Sequence, residues 1–142
     1  MVTTADRRCA RLVELDPHEC RRLLAAHHFG RLAFVGREGL VVFPVNYTIE
    51  DDLVVFASSA TWVHDVLAAR EVVFEIDAAH DLEHLGWSVL AAGEVEVRVI
   101  DGDALPAVAP WCGVDERTRF LALRAHRITG RRIVVTSART DR

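Results

Sequence analysis

The sequence predicts a mainly β protein with minor α: six antiparallel strands closing into a small barrel, with one helix ahead of them and one between the third and fourth strands. Three observations carry this. Six segments are rich in β-branched and aromatic residues, and several alternate apolar with polar at a period of two. A single helix between strands supplies too few crossovers for a parallel α/β sheet. Proline and glycine fall inside strands, at Pro44 and Gly93, where a curling sheet needs edges, gaps or bulges.

Residues 1–15 read as a loosely ordered tail. Asp16-Pro17-His18-Glu19 opens the first helix: Asp16 caps it, Pro17 suits the first helical position, and Glu19 reaches back to complete a capping box. Cys20, Leu23, Leu24 and His27 recur at helical spacing, and Gly30 stands as the stop. Strands are expected over 31–35 and 40–49, joined by the turn Gly36-Arg37-Glu38-Gly39. Glu50-Asp51-Asp52 turns the chain into a third strand, 53–57. A loop then leads to a helix over 62–69, with Val63, Val66 and Leu67 on one face.

The fourth strand is expected at 71–77 and the fifth at 87–100. In the fifth, Val95, Val97 and Val99 alternate with Glu94, Glu96 and Arg98, one face dry and one wet. The stretch up to about residue 123 reads as partly helical, and a last strand covers 127–136.

The length of 142 residues fits one domain, 1–142, large enough to bury a core. Apolar residues make up 51% of the chain and charged residues 27%, the balance of a folded protein. No apolar run approaches the ~20 residues that span a bilayer, and the first residues lack a signal peptide's apolar centre. The expected location is the cytoplasm, with no membrane association. A net charge of −4 gives no basic field for nucleic acid. All 17 basic residues are Arg, so neither a Schiff-base lysine nor a lysine phosphate contact is available.

The motifs that signal catalysis are sparse. Cys9, Cys20 and Cys112 are far apart and odd in number, which points to inert thiols rather than a zinc site or disulfides. His80-Asp81-Leu82-Glu83-His84 matches a zinc-peptidase pattern, but it lies in a short loop rather than a stable helix and reads as a solvated acidic loop. No metal site is expected. His27-His28 suits a helix C-terminus. No Ser-His-Asp grouping, P-loop or dinucleotide fingerprint occurs, and no catalytic side chain can be named.

Four segments nevertheless form an ordered set: Gly30-Arg31-Leu32-Ala33-Phe34, Pro44-Val45-Asn46-Tyr47, Gly86-Trp87-Ser88-Val89-Leu90 with Gly93, and Ile128-Thr129-Gly130-Arg131-Arg132-Ile133. In order and spacing they resemble the FMN-binding split barrels related to pyridoxamine 5'-phosphate oxidase, in the nitroimidazole-resistance-like branch. The resemblance implies a split barrel, a homodimer with flavin at the subunit interface, and an FMN-dependent oxidoreductase acting on a small-molecule substrate. It places the flavin ring along Pro44, Val45, Asn46 and Tyr47 and along Phe56, Ala57 and Ser58, with Trp87 of the other subunit near it. It places the phosphate near Ser58, Ser59, Thr61, Trp62 and His64, at a helix start where backbone N–H groups favour an anion. Arg131 is the preferred extra cation; alternation sends Arg132 to the other face.

The sequence departs from that family where the phosphate is held. Ala57 stands where Arg is usual, and Thr61-Trp62-Val63 replaces a Gly-Ser/Thr-Lys triplet. Losing one charge-assisted bond costs about 1.5–3 kcal/mol, and Trp62 is bulky enough to fill the phosphate position. The rival expectation is therefore a non-catalytic split barrel that binds another ligand, such as haem, a deazaflavin or a protein partner.

Overall fold

The computed structural model describes residues 8–58, 62–99 and 119–137. Along the chain these form β1 (Arg8–Glu14), α1 (Pro17–Ala26), β2 (Phe29–Gly36), β3 (Gly39–Glu50), β4 (Leu53–Ser58), α2 (Val63–Ala68), β5 (Val72–His80), β6 (Leu85–Arg98) and β7 (Arg119–Ser137). The sheet runs β1-β7-β4-β3-β2-β5-β6, and β6 pairs again with β7. Strands β2 to β7 thus close a six-stranded antiparallel ring, and β1 is added outside it. The expected barrel is present.

Three differences separate it from the sequence reading. Residues 8–14, expected in a loose tail, pair with β7 from Arg8↔Ser137 to Glu14↔Arg131. Alternation there is weak, and the strand exists because the far half of β7 has an edge to cover. Residues 119–123, expected to be partly helical, begin β7 instead. Phe120, Leu121, Ala122 and Leu123 are buried on both faces between β4 and β6, and a continuous apolar run carries no period to distinguish strand from helix. Gly30, expected as a helix stop, lies inside β2. A Cβ there would come within 2.4 Å of the Phe74 ring, so only glycine lets the two strands approach.

The punctuation elsewhere behaves as expected, with one exception in the first helix. The Asp16 carboxylate accepts from the Glu19 backbone N–H at 2.9 Å and caps α1. The capping box does not form, because both Glu19 oxygens are held by Arg22 at 2.6 and 2.8 Å. Asp51 and Asp52 both take positive φ in the two-residue β3–β4 turn, which suits the twist of a hairpin. The register slips between Ala92 and Gly93: Ala92 faces Arg127 and Gly93 faces Ala125, leaving His126 as the extra residue of a bulge. A Cβ on Gly93 would lie 1.9 Å from the Arg124 carbonyl oxygen.

The core fills the ring. Leu32, Tyr47, Phe56, Phe74, Ile76, Val89 and Leu121 are fully or almost fully buried in it, and α1 contributes Cys20, Leu23 and Leu24 over one end. A smaller cluster of Leu53, Val55, Phe120 and Ala122 lies on the reverse face of β4 and β7. No described side chain leaves a buried nitrogen or oxygen without a partner.

Candidate functional site

The predicted site residues fall into two groups. The first lies on β3 and β4, which pair only from Tyr47↔Phe56 to Glu50↔Leu53. Pro44 therefore sits on a stretch of β3 that β2 pairs, through Arg31, but β4 does not. This is where a residue without an N–H is tolerated. Tyr47 and Phe56 turn inward. The Tyr47 hydroxyl donates to the Leu24 carbonyl at 2.6 Å, and burial pushes its pKa well above the ordinary phenol range. Val45 is also buried. These three side chains belong to the core, so their backbone alone borders the outer surface.

Pro44 and Asn46 take the alternate, outward positions. Next to them runs an apolar strip: Val35↔Leu40, Ala33↔Val42 and Phe29↔Asn46 are cross-strand pairs, with Leu40 75% and Val42 58% exposed. Ala57 and Ser58 extend β4 and are half-buried. Their partners on β7 are Phe120 and Arg119. Arg119 is a residue the sequence reading missed, hidden at the head of an apolar run taken as partly helical. Its backbone pairs directly with that of Ser58.

Ser59 and Thr61 lie outside the described residues. Trp62 stacks on Phe43 at 4.8 Å and lies 6.2 Å from Phe34, so its ring is an extension of the core. His64 is exposed on α2, a helix of only six residues. Arg37 reaches Asp65 of that helix at 2.8 Å.

The second group comprises Trp87 and Arg131. They share a groove of about 350 Å³ with Leu12, Asp77, Ser88 and Ile133. Arg131 faces Ser88 across the ladder, and among the described residues it makes no ion pair. Arg132 turns the other way, to within 3.7 Å of Glu19 on α1, as alternation requires. The His27 ring tilts against Trp87 at 5.1 Å. Beside the groove, Arg31 bridges Glu75 at 3.2 Å and Asp77 at 3.5 Å. Burial, and then the neighbouring Asp77 charge, push the Glu75 pKa up despite that arginine.

One chain does not bring the two groups together. β7 pairs with β4 only up to Leu123, and Arg131 lies eight residues further along, roughly 26 Å of strand.

His80 to His84 form an exposed turn of 3-10 helix between β5 and β6, as expected of a solvated loop. Among the described residues, no three His, Cys, Asp or Glu side chains gather as a metal site would need. Burial raises the Cys20 thiol pKa, and Cys9 is exposed; Cys112 lies outside the described residues. No described helix is long and apolar enough to cross a membrane.

Residues 16–132 match the model of the pyridoxamine 5'-phosphate oxidase family. The chain belongs to that family. An uncharacterized protein of Mycobacterium tuberculosis is 29% identical over 136 residues, covering 89% of this chain and 88% of its own. The FAD-binding protein of Mycobacterium smegmatis is 27% identical with a TM-score of 0.67, covering 84% of this chain and 98% of its own. A candidate 5-nitroimidazole antibiotic resistance protein of Bacteroides thetaiotaomicron shares the fold, with a TM-score of 0.71 at 14% identity, covering 89% of this chain and 90% of its own.

Proposed function

We propose that this protein is a homodimeric, flavin-dependent oxidoreductase, with FMN lying between the outer face of β3–β4 of one protomer and the Trp87–Arg131 groove of its partner. The observation that carries this reading is the outer face of the hairpin: an exposed apolar strip beside a stretch of β3 that β4 leaves unpaired. A flat heteroaromatic ring satisfies such a surface, stacking on the apolar side and bonding the strand edge. The likeness to an FAD-binding protein at 27% identity supports a flavin.

Two subunits are part of the reading because the two groups of site residues lie too far apart on one chain for a single ligand. The phosphate contact falls to Arg119, across from Ser58, in place of the missing lysine. One cation beside the hairpin suits FMN, whose single phosphate needs no second. Bound there, the flavin would supply the two-electron chemistry. Trp87 and its groove would exclude water, and Arg131, without an ion pair, would orient an anionic substrate group.

The test is FMN titration of the wild type and of Arg119→Ala. The expected result is flavin uptake, weakened about tenfold or more in the variant. A wild type that stays colourless with FMN, FAD and a deazaflavin alike would leave the non-catalytic split barrel as the correct reading.

A further inference from the structure

One cavity among the described residues is not on the outer face at all. It measures about 510 Å³ and lies between α1 and the inner face of the barrel, within the range of small-molecule sites, about 300–1,000 Å³. Its floor is apolar: Ile49, Val54, Ala91, Ala125 and Ile128.

The bulge explains why this space exists. Ala125 and Ile128 are three apart, so regular alternation would put them on opposite faces. The extra residue at His126 reverses the phase, and both pack against the main core. Ala91, the cross-strand partner of Ile128, adds only a methyl group. Where a valine or leucine would close the wall, the small side chains leave it open.

The rim is charged and asymmetric. His18, Arg21 and Arg22 line the α1 side, and Asp52 lines the other. Arg22 is held by Glu19 in two hydrogen bonds. Arg21 makes no ion pair with a described residue, leaving its guanidinium available. An apolar floor below an available cation fits an amphipathic acid: the tail buried, the carboxylate on Arg21, and Asp52 repelling that head from the far side.

We propose that this cavity is a second binding site, for an aliphatic or aromatic carboxylic acid. It uses the inward residues Ile49 and Val54 of the β3–β4 hairpin, whereas Pro44 and Asn46 face outward. The two sites therefore do not compete.

Calorimetric titration of the full chain with decanoate, and in parallel with decanol, tests this. Saturable binding of one decanoate per chain is expected, about tenfold or more tighter than decanol. Arg21→Glu should abolish that preference. Ala125→Phe, which fills the cavity, should abolish binding of both; should it fail to fold, Ala25→Trp on the exposed side of α1 blocks the mouth instead. Flavin uptake in Arg21→Glu should equal that of the wild type. No saturable decanoate binding, equal affinity for acid and alcohol, or undiminished binding in a folded, cavity-blocked variant would each overturn the proposal.

Discussion

Strand β3 has two faces that obey different rules. Its inner face carries Phe43, Val45, Tyr47 and Ile49, packed into or against a core in which Leu32, Phe56 and Phe74 are fully buried. Its outer face carries Leu40, Val42 and Pro44, equally apolar and left in solvent. The first face is explained by folding alone. The second is not, because a contiguous exposed apolar strip on a folded chain marks a surface that something else covers. The contrast separates what stabilises this barrel from what it is for.

The largest effect should come from the inner wall. Gly93→Val would drive a side chain into the Arg124 carbonyl at the bulge, and a loss of about 3 kcal/mol or more is expected. Urea denaturation measures it, and a near-neutral result would mean the bulge can move. Tyr47→Phe should cost about 1–2 kcal/mol, because the Leu24 carbonyl loses its buried donor. An unchanged midpoint would show that water reaches that oxygen.

The outer face should respond in the opposite way. Val42→Lys should change the stability of the isolated fold by no more than about 0.5 kcal/mol, while shifting the protein from dimer to monomer in light scattering. A variant that stays dimeric would place the subunit interface elsewhere.

Glu75 gives the smallest effect and a definite sign. Its raised pKa means the folded state favours the protonated form. That contribution is present below the ordinary carboxylate pKa of 4.5 and is lost as pH rises through the raised value. Glu75→Gln imitates the neutral form, so its melting temperature should gain on the wild type as pH climbs above about 4.5. The reverse trend would show that the Arg31 pairing outweighs burial.

The inner face was also the legible one. Period-two patterning, Pro44, Gly93 and the Asp16 cap each reported a local backbone requirement, and each stands where expected. β1 and the start of β7 were illegible for physical reasons. β1 is held by an edge 117 to 129 residues away in sequence, and Phe120 to Leu123 are buried on both faces and show no period. Arg119 was missed with them. Tyr47 and Phe56, expected beside the flavin, are cross-strand partners, but the sequence does not tell which way β3 faces, and their side chains belong to the core. The cavity under α1 depends on a one-residue bulge that no spacing rule reports.

The central claim is that the outer face of β3 and β4 is a flavin platform completed by a second subunit. Titration of the purified full chain with FMN, followed by the change in flavin absorbance and fluorescence, tests it most directly. The account predicts saturation at one FMN per chain, with uptake lost in the monomeric Val42→Lys variant. No saturable uptake, or equal uptake by that monomer, would contradict it.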